Sequence, residues 1–155
     1  MSSTPTTKLY LLRHGEVAVA YHRIFGGRID MDLSPNGHVQ ARHLAEMLRP
    51  IQFDVLYASP MKRVQQTIAP LLRQHRGEPV ILPGLREVDF GAWTGLNWEQ
   101  VHTQFGVPAS DWLHQLEAAA IPGAESGAVF RARVEPCLRQ ILDEHRLTPA
   151  AVLLT

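Results

Sequence analysis

The chain has 155 residues with 15 basic and 15 acidic side chains and one cysteine, Cys137. This length fits a single domain able to bury a sizeable core. The balanced charge, with no basic run longer than a pair, gives no electrostatic case for nucleic acid or a membrane surface as partner.

Residues 1–7 are polar and read as a frayed tail rather than a signal peptide. No window reaches the ~18 apolar residues of a membrane span. Cys137 has no disulfide partner and sits among Val134, Leu138 and Ile141, as a small core side chain in a reducing cytosol would. One cytoplasmic domain over residues 8–155 is therefore expected. Lys8 to Leu12 reads as a buried strand that runs straight into Arg13-His14-Gly15-Glu16. After an irregular stretch, Val17 to Leu33, Ser34-Pro35 reads as an N-cap with proline at the first helical position. Ala41, Leu44, Ala45 and Leu48 follow at helical spacing, and Pro50 stops that helix. Phe53 to Ala58 is a second strand. Ser59-Pro60 repeats the capping arrangement before a helix striped by Val64, Ile68, Leu71 and Leu72, which Pro70 should kink or weaken. Val80 to Leu82 is a third strand, and Gly84 to Gly95 is a loop carrying Arg86, Glu87 and Asp89. Short helices are expected near Trp98 to Gln104 and Ser110 to Glu117. Phe130, Val134, Leu138 and Ile141 mark a last helix with Pro136 inside it, and Ala151 to Thr155 is a fourth strand. This alternation predicts a three-layer α/β/α fold with a mostly parallel central sheet. A chain ending inside such a strand implies either a tail omitted after Thr155 or a native fragment.

In a parallel sheet, ligands gather beyond the carboxyl ends of the strands. Arg13-His14 and Ser59-Pro60 should therefore share one edge. Each alone also fits a polar strand end reaching water. Lys62 and Arg63 fall in the first turn of the next helix, where cations cost about 0.3–1 kcal/mol each unless an anion compensates them. Solvated surface side chains would explain that pair taken alone, but beside Arg13-His14 an anion site is the better reading. His22, His38, His43, His75, His102, His114 and His145 show no metal-ligand spacing and read as surface residues.

Five elements in order resemble the histidine phosphatase superfamily, which includes the cofactor-dependent phosphoglycerate mutases. They are Leu11-Leu12-Arg13-His14-Gly15-Glu16; Gly27-Arg28-Ile29-Asp30 leading to Leu33-Ser34-Pro35-Asn36-Gly37; Ser59-Pro60-Met61-Lys62-Arg63 leading to Gln66-Thr67; Leu85 to Gly91 with Trp93-Thr94-Gly95; and Pro122-Gly123-Ala124-Glu125-Ser126. Within the fourth and fifth of these, Glu87-Val88-Asp89-Phe90-Gly91 and Pro122 to Ser126 resemble most the short phosphatase branch that includes α-ribazole phosphatases. The resemblance implies a phosphoglycerate mutase-like fold and hydrolysis of a small phosphorylated metabolite, without metal or cofactor. It implies His14 as the nucleophile that forms phosphohistidine, held neutral by a backbone carbonyl on its other nitrogen. Arg13 and Arg63 would neutralise the phosphoryl oxygens. Glu87 would act as general acid, its pKa raised by burial near Phe90 and Trp93, unless it is simply paired with Arg86 or another cation. Gly26, Gly27, Arg28 and Ser59 are implied substrate contacts.

The chain departs from the family pattern at Val17 and Ala20, where Thr and Asn are usual. A second catalytic histidine, expected in a His-Gly pair after the last strand, is absent from the 155 residues. Two alternatives to hydrolysis accordingly stay open: phosphotransfer of the mutase type, and a catalytically impaired phosphate-binding protein.

Overall fold

The computed structural model describes residues 7–75, 77–145 and, as backbone alone, 151–154; residues 1–6 of the expected tail and Thr155 of the expected fourth strand lie outside the described residues. Four strands, β1 (Lys8–Leu11), β2 (Val55–Ala58), β3 (Val80–Ile81) and β4 (Ala151–Leu154), form one sheet in the order β1-β4-β2-β3. Every neighbouring pair is parallel, with Lys8 opposite Ala151, Val55 opposite Val152 and Tyr57 opposite Val80.

Ser34 caps α1 (Pro35–Leu48), its hydroxyl accepting the Gly37 N–H at 2.9 Å while Pro35 opens the helix. Gly37 is required there by close approach, since a Cβ would lie 2.1 Å from the Glu16 carbonyl oxygen. The helix α2 (Lys62–Leu72) accommodates Pro70 in its last turn and packs against α1. Together they cover one face of the sheet through Ala45, Leu48, Leu56 and Leu71. Successive strand residues point to opposite faces. Tyr57 accordingly meets Ile141 of α5 (Gly127–Glu144) on the other face. Helices thus flank the parallel sheet on both sides, giving the three-layer α/β/α architecture. A separate cluster forms where Phe25, Val88, Phe90 and Trp93 meet Val101 of α3 (Trp98–Phe105) and Leu116 of α4 (Trp112–Glu117). Among the described residues, no helix is long and apolar enough to cross a membrane.

Two local expectations need correction. The first strand is not buried: Leu9 is 41% and Leu11 70% exposed. It lies at the sheet edge, and only Tyr10 and Leu12 pack into the α1–α2 cluster, while the cluster on the other face gathers Val55, Tyr57 and Leu82 around Ile141. Nor does Ser59-Pro60 cap α2. Its N-cap is Met61, which supplies no side-chain bond, and the free Lys62 N–H is met instead by Asp30 Oδ1 at 2.8 Å from a distant loop.

Candidate active site

Because β1, β2 and β3 run parallel, their carboxyl ends release the chain at one edge. Arg13-His14 follow β1, Ser59 follows β2, and Arg86-Glu87 follow the 3₁₀ turn Pro83–Leu85 after β3. A cavity of about 280 Å3 lies there, lined by Arg13, His14, Ser59, Arg63, Arg86 and Glu87, with Leu12, Met61, Val64, Leu85, Phe130 and Val134 supplying its apolar part. Larger hollows, about 480 Å3 beside Phe53 and about 680 Å3 beside Trp98, do not combine a histidine with two guanidiniums and a carboxylate.

His14 is half-buried, and its Nδ1 lies 2.8 Å from the Gly15 carbonyl oxygen. A carbonyl can only accept, so Nδ1 carries the proton and Nε2 the free lone pair. Burial holds the imidazole below its ordinary pKa; the charges of Arg63 and Arg13 act in the same direction and, with burial, outweigh the opposite pulls of the Gly15 carbonyl and Glu87. The ring is thereby kept neutral, as a nucleophile must be. Gly15 is fixed in turn by Thr67, a residue only 1% exposed. The Thr67 hydroxyl accepts the Gly15 N–H at 3.0 Å and donates to the Arg63 carbonyl at 2.7 Å. One side chain of α2 thus ties the His14 turn to the turn of helix that carries Arg63.

The Arg63 side chain is 6% exposed. Its guanidinium donates to the Ile29 carbonyl at 3.2 Å and to the Gly27 carbonyl at 3.4 Å, and lies 3.9 Å from Glu87 Oε2. Burial lowers its pKa, against the pull of Glu87 and Asp30, from a starting value high enough that the group remains a cation. Arg13 and Ser59 line the same cavity, Arg13 exposed and Ser59 buried.

Several expected placements differ. The Glu87 side chain is 46% exposed rather than buried against Phe90 and Trp93, which belong to the separate α3–α4 cluster. Its partners are Arg63 and the Val88 N–H at 2.9 Å, not Arg86. Lys62 turns away to an ion pair with Asp32 at 2.8 Å. Gly26, Gly27 and Arg28 are not among the cavity-lining residues: Gly27 contributes its carbonyl to Arg63, and Arg28 pairs with Asp89 and Glu125, each at 3.5 Å. Arg86 also lines the cavity, beyond the phosphate contacts that the motifs imply. Thr67, Glu125 and Arg133 also shape the site. The first two fall inside the motif elements, whereas nothing in the sequence distinguishes Arg133 from the other charges of α5. Among the described residues, no group of three His, Cys, Asp or Glu side chains could hold a metal ion.

Residues 9–154 match the family model of the histidine phosphatase superfamily, branch 1. A phosphoserine phosphatase of Hydrogenobacter thermophilus is 30% identical over 138 residues, covering 89% of this chain and 65% of that protein. The adenosylcobalamin/α-ribazole phosphatase of Escherichia coli is 30% identical over 129 residues, covering 83% of this chain and 63% of that one. The chain thus spans just under two thirds of the length of these two relatives. Phosphoglycerate mutases match at similar identity, 30% for that of Bartonella quintana over 94% of this chain and 73% of its own. The solved structure of a mycobacterial glucosyl-3-phosphoglycerate phosphatase superposes with a TM-score of 0.81 at 26% identity, over 94% of this chain and 71% of that one. The chain belongs to the histidine phosphatase superfamily.

Proposed function

We propose that this domain hydrolyses a small phosphomonoester through a phosphohistidine on His14, without a metal ion. The observation that carries the reading is the Nδ1 contact to Gly15, which leaves Nε2 as the lone-pair nitrogen in a cavity bearing Arg13 and Arg63. The Nε2 lone pair attacks phosphorus as the ester P–O bond breaks. Arg13 and Arg63 balance the charge spread over the phosphoryl oxygens. Glu87 delivers its proton to the departing oxygen, then takes one from the water that attacks phosphorus and releases the imidazole.

The test is turnover of an aryl phosphate in chelator, with His14→Ala and Glu87→Gln beside the wild type. Turnover survives chelation and disappears in His14→Ala. Glu87→Gln slows an alkyl phosphate by about 10²–10⁴-fold, the usual size of a lost general acid, and slows an aryl ester with a good leaving group much less. Activity that vanished on chelation and returned with magnesium or manganese would rule the mechanism out. Similarity to the mutases keeps phosphotransfer as a second reading, separated by product analysis with and without an added bisphosphate.

A further inference from the structure

Glu87 is held by few contacts of its own side chain: the amide of the next residue and a 3.9 Å approach to Arg63, at 46% exposure. A proton donor so loosely attached must be aimed by its backbone, and that backbone is gripped from α5. Arg133 Nη1 donates to the carbonyls of Gly84 and Arg86, both at 2.7 Å, and Nη2 donates to the carbonyl of Glu87 itself at 3.0 Å. The remaining donors go to Glu125: Nε reaches Oε2 at 2.9 Å, and Nη2 also reaches Oε1. A guanidinium has five N–H donors, and all five are engaged. Glu125, its side chain 5% exposed, completes the clamp by accepting the Asp89 N–H at 2.9 Å while its own N–H donates to the Asp89 carbonyl at 3.1 Å. Backbone groups at 84, 86, 87 and 89 are thus fixed on both sides of the acid. The loop lies so close to α5 that a Cβ on Gly84 would come within 2.5 Å of the Arg133 carbonyl oxygen and of Cys137 Sγ.

We infer that Arg133, backed by Glu125, is a positioning residue that sets where the Glu87 carboxyl stands relative to the leaving oxygen. The inference rests on the reading of Glu87 as proton donor. Lysine cannot substitute: its three donors radiate from one nitrogen and cannot span three carbonyls and a carboxylate.

The experiment measures Arg133→Lys in the full 155-residue chain with an alkyl phosphate, an aryl phosphate of good leaving group, and amide hydrogen exchange at Val88 and Asp89. The expected result is a loss of up to about 10²-fold in kcat on the alkyl ester, the scale of an ångström's misplacement. Little loss is expected on the aryl ester, and no further loss when Glu87→Gln is already present. KM is unchanged, and the Val88 and Asp89 amides exchange faster while those of α2 do not. Equal losses on the two esters, or additive losses with Glu87→Gln, overturn the assignment. Absence of turnover in the wild type would defeat the phosphatase reading instead; amide exchange then decides Arg133 alone, and unchanged exchange at Val88 and Asp89 overturns its positioning role. Should Arg133→Lys fail to fold, Gly84→Ala pushes the same loop away from α5 at the Arg133 carbonyl and Cys137 and must show the same selectivity for the poor leaving group.

Discussion

Replacing Thr67 by valine keeps the shape of a fully buried side chain and deletes one hydroxyl. The Arg63 carbonyl, which receives that hydroxyl at 2.7 Å, lies one helical turn earlier and retains its place in the α2 ladder. The Gly15 N–H, whose hydrogen bond at 3.0 Å ends on the same oxygen, has no such reserve and is left unpaired in the interior. A buried donor without a partner costs about 1–3 kcal/mol. At this chain length each kcal/mol moves the thermal midpoint by ~2–4 °C, so the expected fall is about 2–12 °C. Gly15 also supplies the carbonyl that pins His14 Nδ1 at 2.8 Å. Losing that contact forfeits about 0.5–1.5 kcal/mol, which converts to a kcat lower by about 2- to 12-fold on any phosphate ester, irrespective of leaving group. Differential scanning calorimetry of Thr67→Val against Thr67→Ser reads the midpoint and turnover of an aryl phosphate reads kcat; serine restores the two hydrogen bonds and omits only a methyl. If valine proves as stable as serine, the Gly15 amide does not depend on this hydroxyl and the relay from α2 to His14 is refuted.

His14 stays neutral to lower pH in the native state than in the unfolded chain, because burial first, and then Arg63 and Arg13, lower its pKa from 6.5. The unfolded chain therefore takes up the proton first, and stability falls as pH drops below that value; the midpoint of His14→Asn should vary less with pH across this window. Glu125 behaves in the sense usual for carboxylates. Burial alone would raise its pKa, but Arg133, the Asp89 amide and Arg28 together hold it below the ordinary glutamate value. Its stabilisation is present above about pH 4.3 and lost as pH falls through the lowered value. Glu125→Gln, which leaves the partly exposed Arg133 without its counter-charge, should cost about 1.5–3 kcal/mol near neutrality in urea titrations and show a shallower acid limb. Ser34→Ala should lose close to the upper end of the ~0.5–2 kcal/mol range for an N-cap, since the hydroxyl accepts from Gly37 and also donates to Glu16; chemical denaturation checks it.

What could be read from the chain was whatever depends on near neighbours in sequence. Ser34 with Pro35, the α1 stripe and the order of strands and helices are local patterns, and the structure keeps them. The depth of β1 was not legible, because Leu9 and Leu11 are as apolar as any buried strand residue and only strand order puts them at an edge. Phe90 and Trp93 stand three and six residues from Glu87, yet the 3₁₀ turn Gly91–Trp93 carries them into the α3–α4 cluster. Conversely, the groups that hold the Glu87 backbone come from 38 and 46 positions later, Glu125 and Arg133. Proximity in sequence misled for the environment of the acid, and distance in sequence concealed its support. Lys62 and Arg63 make the same point at closer range. They are adjacent basic residues in one helical turn, but Asp32 captures the first while the carbonyls of Gly27 and Ile29 seat the second.

A molecule with 15 positive and 15 negative side chains is electrically balanced only as a whole. Lining one cavity, Arg13, Arg63 and Arg86 stand against Glu87, with Asp30 also acting on Arg63, so positive charge is in local excess there. The cavity is therefore a positive pole within an electrically balanced chain. A doubly charged phosphate ester approaching in dilute salt is turned toward that pole before contact, whereas at ~0.15 M ionic strength the field fades within about 8 Å. Added salt consequently slows arrival more than it weakens the hold on an ester already inside, where little electrolyte penetrates.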